Sequence, residues 1–353
     1  MAVAATVSTQ GELDLDVSDT ASPSSTHRPA PLPEGLRIGG RTVYPTPVFD
    51  TYWYFAARRQ AIYEARLAGR AGPWTDDPVL RRHRFTNCYR AADRVSQFLI
   101  REVSYQGSQD LDEVVFRTLL FKLFNRVSTW QLLTEAFGEV SWREFDLRAY
   151  DEVLTSAFAR GVKLYSAAYV VPPPRLGAER KHTNHLRLLQ HMMTTGLVEH
   201  LAAATSLQQV FLTLLDYPAM GDFLAYQFAI DLNYSSALEF DEMEFVVPGP
   251  GARDGIRKCF GSEADGIESE VIRYMAEHQQ PHFQRLGLRF DGLGGRRPLQ
   301  LIDCQNLFCE VDKYARVMHP DIAGRSGRTR IKQLFAPVPD RVGAWFPPKW
   351  ELG

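Results

Sequence analysis

Two apolar runs separated by a short break constrain this chain more than any other feature. Leu207–Leu215 (LQQVFLTLL) runs into Asp216-Tyr217-Pro218-Ala219-Met220-Gly221, and a second apolar run from Phe223 to Leu232 follows at once. Runs of that length with few charges pack as helices on a core. Pro218 has no N–H to continue the first helix, and Gly221 permits a tight turn. The pattern predicts an antiparallel helical hairpin over 216–225. The amides that open its second helix, at Met220, Gly221 and Asp222, suit an anion such as phosphate, because free N–H groups and the helix dipole favour negative charge there. An ordinary helical corner is the alternative reading. Twenty residues past Gly221 stands Asp241. An acid at that spacing can return to the mouth of the hairpin, where a carboxylate stabilises an oxocarbenium-like sugar or activates water. Asp231, Glu239, Glu242 and Glu244 lie close by, so a surface acid is the competing reading.

The chain has 353 residues, 45% of them hydrophobic, enough for a substantial core. A formal net charge of -2 argues against a protein that coats nucleic acid indiscriminately. The charge is uneven, however. Residues 58–101 hold ten Arg against four acids, and residues 322–353 hold six Lys or Arg against two. Such patches either steer a polyanion or are solvated faces. The four cysteines form no CxxC pair, which argues against zinc. No apolar run reaches the roughly 18–20 residues a bilayer demands, and a cytoplasmic setting is expected.

The remaining periodicity is helical: Phe49, Tyr52, Trp53 and Ala56 share one face. Further helices are expected over 85–103, 114–137 (broken near Asn125-Arg126), 150–160, 185–203, 268–279 and 301–317. Residues 36–44 read as extended, 165–171 as β-prone, 246–255 as a Gly/Pro loop and 286–300 as a small hairpin. The expected fold is mostly α, a bundle with irregular additions. It divides into a disordered tail (1–36), an N-terminal helical segment (37–110), a helical core (111–320) and a basic Pro/Trp-containing tail (321–353).

Three clusters carry candidate chemistry. Asn87, Arg90, Asp93 and Arg94 recur at helical spacing; Asn can read a base edge and Arg can fork a phosphate. The alternative is an internal ion-pair network. Asn125 sits between Phe124 and Arg126 in an apolar helix, where a buried amide needs a partner; substrate and a capped kink are the two choices. Gly249, Gly251 and Gly255, with Arg253, Arg257 and Lys258, form a loop and helix start suited to phosphate. Asp303 and Glu310, in 303–316, are weaker candidates.

Residues 212–241 (LTLLDYPAMGDFLAYQFAIDLNYSSALEFD) resemble the hairpin, following helix and catalytic Asp of the helix-hairpin-helix DNA glycosylases. The Lys that makes some members lyases falls at Phe223, and Glu242-Met243 replace the family's Thr-His. The segments at 85–101, 121–130, 217–234, 248–260 and 303–316 resemble more closely the α-glutamyl/putrescinyl-thymine pyrophosphorylase family, the helical domain found with hydroxymethyluracil DNA kinases. That resemblance implies action on hypermodified pyrimidines in DNA. No GxxxxGK[ST] phosphate loop is present, so the chain is not itself expected to be the kinase.

Together these readings predict a monofunctional DNA glycosylase, in an anti-phage setting, that flips and excises a bulky modified pyrimidine. Asp241 would be catalytic, Asn87, Arg90, Asp93 and Asn125 would line the base pocket, and Met220, Gly221, Asp222, Gly251, Arg253 and Lys258 would hold the DNA backbone. DNA carrying modified pyrimidines is the expected partner, with no cofactor, metal or membrane. The alternative is a transferase that couples an amine or amino acid to phosphorylated hydroxymethyluracil in DNA. A DNA-binding module without catalysis is the third possibility.

Overall fold

A computed structural model describes residues 31–166, 171–336 and 343–352. The first thirty residues and most of the β-prone run lie outside it, as does part of the basic tail. A two-stranded antiparallel hairpin comes first, β1 (Leu36–Ile38) on β2 (Arg41–Val43), with Leu36 opposite Val43. Gly39 and Gly40 at its turn both take positive φ, 53° and 76°, as a two-residue hairpin demands.

Helices account for nearly everything else. The N-terminal half supplies α1 (Pro47–Leu67), α2 (Pro78–Arg82), α3 (Arg94–Phe98), α4 (Leu111–Phe124), α5 (Val127–Phe137), α6 (Leu147–Ala159) and α7 (Lys181–Thr194). The rest supplies α8 (Leu197–Ala203), α9 (Leu207–Leu215), α10 (Asp222–Tyr234), α11 (Pro250–Phe260), α12 (Glu268–Glu277), α13 (Gln279–Arg285) and α14 (Leu301–Met318). The mostly α expectation holds. Three predicted elements came out differently. The single helix expected over 185–203 is two, α7 and α8, parted at Gly196, which takes a positive φ of 87°. The Gly/Pro stretch 246–255 contains the start of α11, because Pro250 occupies the first helical position, where its missing N–H costs nothing. The candidate helix over 85–103 begins only at the 3-10 turn Arg90–Ala92 and widens into a π turn at Leu99–Ser104.

Two helices form the centre. α4 is buried on every side, from Glu113 through Phe124, and α10 is buried from Leu224 through Tyr234. A helix apolar all round must sit inside a bundle, not on its surface. Around them, α11 and α14 cross so closely that a Cβ on Gly255 would lie 2.1 Å from the Phe308 carbonyl oxygen. Only glycine permits that approach. The α4 to α5 junction is a sharp corner, as expected. Asn125 caps α4 in the left-handed region (φ 49°), and its N–H donates to Phe121 O at 2.6 Å. Asn tolerates that conformation better than most residues.

Candidate active site

Several charged side chains are buried in this bundle, most of them in ion pairs, and one such group bridges the two central helices. Lys122 is the last cation on α4, one turn before the Asn125 cap. Asp231 lies on α10, one turn past Gln227 and on the same face. Arg90 reaches them from the 3-10 turn, and its guanidinium grips Asp231 with both arms, Nη1 to Oδ1 at 2.6 Å and Nη2 to Oδ2 at 2.8 Å. Its Nε donates to Gln227 Oε1 at 2.9 Å. Lys122 Nζ meets the same carboxylate, 2.9 Å from Oδ2. One acid thus holds two cations in a space almost closed to solvent.

The electrostatics follow. Burial works to raise the Asp231 carboxyl, but Arg90 and Lys122 together outweigh it and hold it below its ordinary value. Burial pulls the Lys122 ammonium down, with Asp231 pulling back. In this apolar setting an anion's oxygens would interact with Arg90 and Lys122 far more strongly than in water. The Arg90 turn is pinned from below by Asp303, whose Oδ1 accepts the Arg90 N–H at 2.8 Å and whose Oδ2 accepts the Gln300 N–H at 3.0 Å. Burial raises Asp303 to about 6. The polar string continues from Gln227 to Gln305, 3.4 Å away on α14.

Of the residues expected at the site, Arg90 is at its centre and Asn125 at its edge, where Lys122 Nζ approaches its Oδ1 at 3.4 Å. Asn125 also makes the capped kink. Asn87 and Asp93 are engaged within the protein: Asn87 Nδ2 donates to Ala92 O at 2.7 Å and its Oδ1 accepts from the Arg59 guanidinium, while Asp93 Oδ1 accepts the Asn87 N–H at 2.8 Å. Burial pushes Asp93 up to about 7. Lys122, Asp231 and Gln227 were not among the expected site residues, and Asp303 was only a weaker candidate. Their signal was present: Lys122 is the lone cation in LLFKLF, and Asp231 the lone acid in FAIDL.

Asp241 is a correction. It is exposed, and its Oδ1 accepts the Met243 N–H at 2.8 Å in a local turn. The preceding residue is tied to the far end of α10, where Asn233 accepts the Phe240 N–H at 2.8 Å and donates to its carbonyl at 3.0 Å. Gly221 caps the opposite end of that 13-residue helix, about 20 Å away at 1.5 Å per residue. Hairpin and acid therefore do not share a mouth. The bend itself turns at Ala219, with φ 63°, while Gly221 has an ordinary φ of -80°. Met220 is buried in the core, while Gly221 and Asp222 are exposed.

The phosphate-loop expectation at 248–260 meets the same fate. A Cβ on Gly251 would meet Cys309 Sγ at 3.0 Å, so Gly251, like Gly255, lets α11 approach α14. Lys258 is buried against Asp312, 3.1 Å from Oδ1. Arg253 pairs with Glu268 at 3.1 Å. These cations close internal ion pairs. The acid next to Asp241 is the buried one: Glu242 pairs with Arg297 at 2.6 Å, and Arg297 stacks on Trp350 at 3.9 Å. Burial nevertheless raises Glu242 to about 7, and its Oε2 has no hydrogen-bond partner. Among the described residues no group of three or more His, Cys, Asp or Glu is placed to hold a metal, and no helix is long and apolar enough to cross a membrane.

Residues 46–324, which contain this whole site, match the family described as the helical domain of 5-hmdU DNA kinase. The chain belongs to that family. The 5-hmdU DNA kinase of Bacillus phage SP10 is 27% identical over 291 residues, which is 76% of this chain and 45% of the relative. The chain thus spans less than half the length of the curated relative it matches. No solved structure matches it significantly. Membership overturns the base-excising hydrolase expected from the hairpin and Asp241: the relative is a kinase, which transfers a group, and nothing in the comparisons supports glycosidic cleavage. Kinship with the helix-hairpin-helix glycosylases is likewise not supported. In this helical-domain family the matched segment embraces the Arg90, Lys122 and Asp231 group, the hairpin and the α11–α14 crossing together.

Proposed function

We propose that this chain is a DNA-modifying transferase that acts on hydroxymethyluracil in DNA once its 5-CH2 oxygen carries a phosphate. An amine or amino acid is the acceptor. The observation that carries this reading is the buried convergence of Arg90 and Lys122 on Asp231. Two cations sharing one carboxylate can turn toward a phosphate without an uncompensated charge being created. Family membership and the kinase relative support the substrate class. The lack of a GxxxxGK[ST] loop supports a step other than ATP-driven phosphorylation.

In the proposed reaction the amine lone pair attacks the methylene carbon and a C–N bond forms. The C–O bond breaks, its electron pair leaves on the phosphate oxygen, and the new ammonium gives one proton to solvent. Arg90 and Lys122 stabilise the charge that grows on the leaving phosphate. The test supplies DNA bearing phosphorylated hydroxymethyluracil together with putrescine or glutamate. A nucleoside whose mass shows the nitrogen adduct, with release of inorganic phosphate, is expected. ATP-dependent phosphate gain on unphosphorylated hydroxymethyluracil by the chain alone would overturn the proposal in favour of a kinase. The 45% coverage of the relative favours one second reading, a helical module that presents DNA to a separate kinase. It predicts that adding the chain accelerates such a kinase without any adduct.

A further inference from the structure

The proposed transfer requires a DNA strand, and a groove lined by the helical segment that follows Arg90 has the composition for one. Its volume is about 540 Å³, with Arg94, Phe98 and Arg101 on one side and Val127 and Gln131 of α5 on the other. We propose that this groove binds single-stranded DNA, with phosphates on Arg94 and Arg101 and a base against Phe98. The inference rests on the reading above that DNA is the substrate.

Arg94, Phe98 and Arg101 fall at i, i+4 and i+7 along one continuous helical segment, so they share a face. The two arginines stand about two turns apart with the ring between them. Alternating cations and an aromatic platform are what sequence-tolerant binding of single strands uses. Phe98 is already oriented, its ring stacked on Phe121 at 5.7 Å and 27°. Arg94 and Arg101 are exposed. Arg101 pairs with Glu102 at 3.1 Å, a half-exposed contact of the kind that contributes little and that a phosphate can displace. Gln97, on the same segment, is already engaged, accepting the Trp345 N–H at 2.7 Å and donating to Ala91 O at 2.7 Å.

Two observations tie the groove to the candidate site. Phe98 stacks on Phe121, the residue before Lys122, and Val127 opens α5 just past the Asn125 corner, so the groove is lined from the same stretch of chain that supplies Lys122. The segment also contains the π turn 99–104, closed by Tyr105 N–H to Ile100 O at 3.1 Å. Such turns are rare inside helices and are found frequently at functional sites.

Fluorescence anisotropy of the full chain with an unmodified thymine-rich oligonucleotide, repeated across salt concentrations, tests this. Arg94→Ala with Arg101→Ala should weaken binding about tenfold and flatten the salt slope by about 1.4, two phosphate contacts at about 0.7 each for a single strand. Phe98→Leu, which keeps the packing against Phe121, should weaken binding several-fold with the slope unchanged. Glu102→Gln should tighten it. Wild-type affinity and slope in the double arginine variant would overturn the groove and leave the transferase reading standing. No binding by the unaltered chain, either of this oligonucleotide or of one bearing phosphorylated hydroxymethyluracil, would overturn both.

Discussion

Asp231 and Asp241 stand ten residues apart, and the folded chain uses them in opposite ways. Asp231 lies under two cations at the centre of the bundle, and Asp241 caps a local turn in solvent. Both follow the same hairpin. The difference is helical phase and neighbours: Asp231 falls on the wholly buried part of α10, one turn past Gln227, whereas Asp241 comes after α10 has ended and the chain has turned back. A carboxylate's spacing from a motif says how far along the chain it lies. What surrounds it decides what it can do.

That contrast can be broken most severely at Asp231 itself. Asp231→Ala removes the counter-charge shared by two buried cations and should cost about 3–5 kcal/mol of stability, read from urea denaturation. A wild-type midpoint would show that the buried group is no ion-pair centre. Lys122→Met comes next, since it keeps the side chain's length and leaves the Arg90 to Asp231 pair in place. It should cost less than about 1.5 kcal/mol of stability but lower adduct formation about 100-fold, and equal losses in both readouts would reduce Lys122 to a packing role.

Glu242 sharpens the comparison through pH. Its folded value of about 7 lies above the ordinary 4.5, so the folded state holds more protons between those values and stability falls as pH rises from about 4.5 to 7. Asp93 and Asp303 are raised to about 7 and about 6 and act in the same direction. Glu242→Gln should therefore flatten the fall in Tm across that window without abolishing it; an unchanged profile would place the Glu242 proton elsewhere. The smallest effect belongs to Asp241→Ala, expected to shift stability by no more than about 0.5 kcal/mol and to leave adduct formation intact. A large loss of activity there would restore Asp241 to the site.

Much of the architecture was legible from periodicity. The break at Asn125-Arg126, the helices 207–215 and 222–234, and the long helix beginning at Leu301 follow from apolar spacing and from residues that end helices. The start of α11 was not, because Pro250 and three glycines read as loop when their work is helical: Pro at the first position, Gly at a crossing. The site was half legible. Arg90 was recognised from its residue type, while Lys122 and Asp231 were hidden by the apolar runs that contain them. A charge alone in such a run is a stronger signal than a charge in a cluster, since burial compels it to find a partner. The exposed acids drew attention because they matched a motif, and a motif carries no information about depth.

The contact of Gly255 with the Phe308 backbone has a mechanical consequence. Where two main chains touch, no side chain remains between them to repack, so α11 and α14 cannot slide without breaking apart. Asp303 and Gln305 ride on that welded pair and form a stationary wall. On the opposite bank the corner at Asn125 joins two helices through a single left-handed residue, and under the proposed reading any accommodation of a strand falls to that side.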